Sequence, residues 1–144
     1  MTALKPSPVA ELQTTSDLHE MATHIIDSIA SVAIRSDSYF INDIPKELNI
    51  EADQQMVASV LCGMLATLAR HAKGSCIRIS AKIYSDVVLV HAKDYNSTAN
   101  HDINSGLQTL QPLAEKIGGF VGVSSHRLQV TTLAFSFPNF LYAA

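Results

Sequence analysis

Apolar positions recur along this chain with two different periods, and the switches between them mark its elements. Residues 9–14, VAELQT, alternate apolar and polar and predict a short edge strand. From Thr15 to Arg35 the period lengthens. Met21, Ile25, Ile29 and Val32 predict the buried face of a first helix, and Asp17 with Glu20 resembles a capping box at its start. Residues 38–44, SYFINDI, read as a strand stopped by Pro45, and KELNIE as a turn. A second helix is predicted from Ala52 to Ala72, with Val57, Val60, Leu61, Met64, Leu65, Leu68 and Ala72 on one stripe and Gly74 as its stop. Strict alternation then returns. Ile77, Ile79, Ala81 and Ile83 face one way and Arg78, Ser80 and Lys82 the other, the pattern of a strand buried on one side. Ser85 and Asp86 turn the chain into a returning strand, VVLVHAK. Residues 94–106 show no period and predict a loop. LQTLQPLAEKI predicts a third helix, with Pro112 kinking it or confining its regular part to the second half. GGFVGVSSH and LQVTTLAFSFP predict a final hairpin closed near Arg127. The expected fold is an α/β (α+β) two-layer sandwich, a mixed, mostly antiparallel sheet covered on one face by three helices.

Composition narrows the function classes. A chain of 144 residues suits one domain, and a net charge of −3 offers no electrostatic footprint for nucleic acid. The longest apolar run, 56–69, is too short to span a bilayer, and the N-terminus has no apolar signal region, so a cytoplasmic protein with no membrane partner is expected. Cys62 and Cys76 have no partner spacing and read as buried free thiols of a reducing compartment. His24, His91, His101 and His126 show no metal-ligand spacing, and no metal site is expected.

Several stretches carry a family likeness. DQQMVASVLCGMLATLARHA, VVLVHAKDYN, GLQTLQPLAEKIGGFVGVSS and TTLAFSFP, in that order, resemble the nucleotide-binding helix, the strand into the aspartate-and-glycine box, the helix and strand after the ATP lid, and the closing strand of a known domain. That domain is the catalytic ATP-binding domain of bacterial sensor histidine kinases, of the larger group with gyrase, heat-shock chaperones and mismatch-repair proteins. The likeness spans roughly residues 9–138, leaving an arm at 1–8 and a tail at 139–144.

The resemblance implies a site and also shows its losses. Gly63 and Thr67 stand where the family has two asparagines, the second of them holding magnesium. Arg70 and His71 stand where a basic residue and a histidine or tyrosine meet the phosphates. Thr67 has a shorter arm than asparagine and tends to bond back to its own helix, so little magnesium binding is expected. Asp94 stands where the family aspartate accepts from the adenine amino group. The residues alone equally allow a loop-starting aspartate that bonds nearby backbone amides. Asn96 replaces the first glycine of that box, a residue able to imitate glycine at positive φ, and Thr98 replaces the second. Gly106 marks the end of the second glycine box at the start of the third helix, and Gly118-Gly119 the turn after that helix. If the pocket persists, Thr67, Arg70 and His71 line one wall and Asp94 the floor, with Arg70 able to hold an anion. In the rival arrangement Met64, Tyr95 and Leu107 close it.

The resemblance thus implies a degenerate, stand-alone histidine-kinase-type domain without a catalytic residue set. Its cofactor would be ATP or ADP, held weakly or not at all and with little or no magnesium. It would act as a regulatory or scaffolding partner of a signalling protein: a kinase, a response regulator or a sigma-factor regulator. His19-Glu20 superficially matches a phosphoacceptor pair but stands at the entry of the domain's own first helix. Two alternatives are an active kinase of the anti-sigma-factor serine kinase type and a purely protein-interaction module.

Overall fold

The structure is a computed structural model, and it describes residues 16–96, 101–126 and 130–140. The strand expected at 9–14 lies outside the described residues. The chain runs β1 (Ser16–Asp17), α1 (Leu18–Ile34), β2 (Tyr39–Asn42), β3 (Asn49–Ile50), α2 (Gln54–His71), β4 (Cys76–Tyr84), β5 (Val87–Asp94), α3 (His101–Glu115), β6 (Phe120–His126) and β7 (Val130–Pro138). Five strands form one sheet in the order β2-β4-β5-β7-β6, parallel between β2 and β4 and antiparallel elsewhere. α2 packs against both α1 and α3 in the helical layer. The two-layer α+β sandwich with a mixed sheet is therefore the fold.

Local chemistry sets the elements. The Asp17 carboxylate accepts from the Glu20 backbone N–H and caps α1, and Asp53 accepts from Gln55 and Met56 to cap α2. The buried face of α1 is Leu18, Ala22, Ile25, Ile29 and Ala33, with Met21 and Val32 at its margins. The small Ala22 and Ala33 let the helix approach its neighbours, which turns the expected stripe by one position. KELNIE is more than a turn, since Asn49 and Ile50 pair with Asp17 and Ser16 and a backbone bond joins Leu18 N–H to Leu48 C=O at 2.9 Å. The buried parity of β4 holds at Ile77, Ile79 and Ala81 but fails at Ile83, which is 41% exposed. Its neighbour β2 pairs only as far as Asn42 with Ile79, so this end of β4 runs on beyond that ladder.

The third helix departs most from expectation. It begins at His101, inside the stretch read as loop, and Pro112 does not confine it. Fully buried Ile103 extends the stripe of Leu107, Leu110 and Ala114 by one turn, an anchor that the polar HDINSG surroundings conceal. Pro112 is exposed, so the carbonyl it leaves unpaired lies toward solvent. After the helix, Gly118 takes φ +75°, and the Gly119 N–H returns to the Ala114 carbonyl at 2.8 Å, the expected glycine turn. The Gln111 side chain fastens α3 to the sheet edge. Its amide donates to the Val121 carbonyl at 2.9 Å and its oxygen accepts from the Val121 N–H at 3.0 Å.

Candidate functional site

Thr67 lies in the second half of α2, on the flank that meets α3. It is 2% exposed, and its hydroxyl donates to the Gly63 carbonyl at 2.7 Å, the back-bond its chemistry favours. The His71 ring Nδ1 lies 2.8 Å from the Thr67 carbonyl oxygen, and Arg70 Nη2 donates to the Thr67 hydroxyl at 3.4 Å. Gly106 lies opposite, in the body of α3 rather than at its start. A Cβ there would stand 3.0 Å from Thr67 Oγ1, and one on Gly63 would stand 2.4 Å from Leu110 Cδ2. The two helices therefore meet through glycines, with Leu110 in the space that a side chain at 63 would take. Arg70 is exposed and lines a cleft of about 310 Å³ between α1 and α2, beside Val32, Arg35 and Ser36.

Asp94 closes β5 on the core side of the sheet and is 0% exposed. One carboxylate oxygen accepts from the Asn96 N–H at 3.0 Å; the other, Oδ2, has no hydrogen-bond partner among the described residues. Directly across the β5–β7 ladder stands Thr131, also 0% exposed, whose hydroxyl likewise lacks a partner among them. Buried polar groups ordinarily pair with protein, water or ligand. Asn96 does not take positive φ, which among the described non-glycine residues occurs only at Asp37, Glu47 and Ser85. It ties the turn down instead, its amide donating to the Lys73 carbonyl at 2.7 Å.

The six candidates thus fall into two contact groups: Thr67, with Gly106 facing it across the α2–α3 seam and Arg70 and His71 bonded to it from the end of α2, and Asp94 with Asn96 at the end of β5. Sequence reasoning passed over Thr131 and Leu110. Thr131 had a signal, a polar residue at the core parity of Leu133, Phe135 and Phe137. Met64 and Leu107 are buried, whereas Tyr95 remains 45% exposed. His19, part of the superficial phosphoacceptor pair, has its Nδ1 2.6 Å from the Ile44 carbonyl oxygen. Among the described residues no cluster of three or more His, Cys, Asp or Glu is placed to hold a metal ion, and no helix is long and apolar enough to cross a membrane.

No protein-family model matches the sequence, and no curated protein matches it. Solved structures do match in shape. The catalytic domain of histidine kinase ThkA, in a nucleotide-free form, superposes with a TM-score of 0.76 at 14% identity, covering 90% of this chain and 98% of that one. Acinetobacter baumannii histidine kinase AdeS gives 0.76 at 11% identity, covering 87% of this chain and 66% of that chain. Mycobacterial sensor histidine kinase MprB gives 0.70 at 14% identity, covering 88% and 97%. Strand order, helical layer and these superpositions agree: the chain has the fold of a histidine kinase catalytic (ATPase) domain.

Proposed function

We propose that this domain is a degenerate form of the histidine kinase ATP-binding domain that serves a protein partner in two-component signalling as a regulator or scaffold. In this reading it binds ATP or ADP weakly or not at all, and without magnesium. The observation that carries the reading is the seat of α3 on α2, where Leu110 stands over Gly63 and Gly106 over Thr67.

The residues fit the two ends of a nucleotide differently. The unpartnered Asp94 Oδ2 and Thr131 hydroxyl are suited to the polar edge of a purine such as adenine. The triphosphate end finds a glycine, a buried threonine whose hydroxyl is already engaged, and an exposed arginine. An exposed charged contact contributes roughly 1 kcal/mol or less. Phosphoryl transfer relies almost wholly on positioning and charge stabilisation, so this set supports no turnover. A full-length ShkA structure of similar fold is in complex with AMPPNP, and a ThkA structure is in complex with the response regulator TrrA. Those pairings support a nucleotide as the ligand class and a response regulator as one partner class; a kinase or a sigma-factor regulator is the other partner class of the proposal.

Calorimetric titration with adenosine, ADP and ATP, with and without magnesium, tests the reading. ATP is expected to bind no tighter than about 100 µM, roughly −5 to −6 kcal/mol. Its affinity should lie within a few-fold of adenosine and be indifferent to magnesium. Silence toward every ligand at millimolar concentration is the interaction-only form of the same reading. Tight magnesium-dependent ATP binding, or turnover abolished by Asp94→Asn, overturns it.

A further inference from the structure

The sheet face turned away from the helices is electrically one-sided. Among the described strand residues of the five-stranded sheet the only carboxylate is Asp94, and it is buried on the helix side. The cations Arg78, Lys82 and Lys93 all occupy the opposite parity, together with His91. The chain as a whole carries −3, so this face opposes the net charge. Its cations are also crowded. Arg78 and Lys93 stand directly across the β4–β5 ladder, an arrangement that destabilises a sheet. Among the described residues only Asp43, just beyond β2, answers Arg78 with an ion pair. Burial, then Lys93 and Lys82, hold His91 below its ordinary pKa. Packing of the fold does not require this crowding.

The relief of the face fits one kind of occupant. Across its middle run Ser80, His91, Ala134 and Gly122 in register, and beside them Leu89 and Ser136. Ser80, Ala134, Gly122 and Ser136 are small, and the Leu89 and His91 side chains stand among them. The bulky side chains lie at the rim: Tyr39 opens edge strand β2, Tyr84 ends β4, and Phe120 opens edge strand β6 and lies against Gly122. A nucleic-acid platform places its aromatics centrally for bases to stack on them. Small residues on β6 and β7, cations on β4 and β5 and aromatics at the rim suit a rod laid across the strands. Five strands spaced about 4.8 Å apart span about 20 Å, the length of roughly 14 helical residues.

We propose that the open sheet face is a docking surface for an acidic amphipathic helix of a partner protein, its apolar stripe on Leu89, Ala134 and Phe120 and its carboxylates on Arg78, Lys82 and Lys93. This surface lies on the opposite side of the sheet from Asp94, so it stands whether or not nucleotide binds.

A synthetic amphipathic peptide of about 18 residues, with a leucine and alanine stripe flanked by glutamates, is the probe. It is titrated into the isotope-labelled chain beside a single-stranded oligothymidylate and anionic phospholipid vesicles. The expected result is peptide-induced shift changes confined to amides of residues 78–82, 89–93, 120–122 and 132–136. Affinity should fall with added salt and drop about tenfold or more in Lys82→Glu/Lys93→Glu. Both lysines reach solvent from a face outside the core, and an unchanged melting temperature confirms that the variant remains folded. Arg70→Ala, on the helical side, should bind the peptide like the parent. Shifts on the helices instead, an unchanged affinity after charge reversal, or tighter binding of oligonucleotide or vesicles to the same strands overturns the proposal.

Discussion

Replacing Gly63 by alanine should destabilise the domain, although alanine is the better helix former. The reference gain is about 1 kcal/mol for an exposed helix interior. Against it stands Leu110. The new methyl would lie 2.4 Å from Leu110 Cδ2, 3.0 Å from Cδ1 and 3.2 Å from Cγ, where carbon–carbon contacts want roughly 3.5–4.0 Å. Rotating the terminal methyls of Leu110 leaves its Cγ too close, so its whole side chain or α3 itself must shift. Overpacking of this kind costs about 1–3 kcal/mol, which leaves a net loss of about 1 kcal/mol. For a chain of this size the melting temperature should fall by about 3 °C. The test lies in the cycle. Leu110→Ala alone should cost about 2–5 kcal/mol, and in that background Gly63→Ala should become stabilising by up to about 1 kcal/mol. Urea denaturation followed by far-ultraviolet circular dichroism measures all four proteins. If Gly63→Ala stabilises the parent, or has the same effect in both backgrounds, α3 is not seated on α2 through Leu110. Asparagine at the same position, the family residue, meets the same obstacle and should not restore ATP binding.

Three further outcomes follow from the site and the sheet. Thr131→Val removes a buried hydroxyl that has no protein partner among the described residues, so stability should hold or rise by up to about 1 kcal/mol, while any adenosine binding seen by calorimetry should vanish. Arg70→Ala should change ATP affinity less than about threefold, because the guanidinium is exposed; a tenfold loss would restore a phosphate site to the end of α2. His91 has a lowered pKa, so the unfolded chain takes up its proton first. Its contribution to stability is complete above about pH 6.5 and is lost as pH falls from there through the lowered folded value. His91→Gln should flatten that part of the urea-midpoint profile, and an unchanged profile refutes the assignment.

Periodicity carried most of this architecture, because a stripe of Val57, Leu61, Met64 and Leu68 and an alternation of Ile77 and Ile79 each admit one buried face. It failed where one residue decided the outcome. Ile103 is the sole apolar anchor of the first turn of α3, and a window dominated by His, Asp, Asn and Ser hides it. Ile83 obeys its own strand's alternation but stands beside the β4–β5 turn, beyond the end of the β2 ladder, and is exposed. At the site, the back-bond of Thr67 was readable from hydroxyl chemistry. Its burial was not, because that depends on Gly106 arriving from a helix whose start could not be located. Asp94 places one oxygen in a local turn, as a loop-starting aspartate does, and its other oxygen has no partner among the described residues, a detail of packing that the residues alone did not show.

The clasp of Gln111 on Val121 links the position of α3 to the colloidal behaviour of the protein. β6 is an outer strand, and an outer strand with bare backbone groups is a template for other chains. A primary amide that both donates and accepts stands in for one residue of a neighbouring strand. Swinging α3 outward, as admission of a large ligand at the α2 seam would require, strips this substitute away and leaves the rim adhesive. Occupancy of such an opened form would therefore register as concentration-dependent self-association, and crowding by like molecules would trap it.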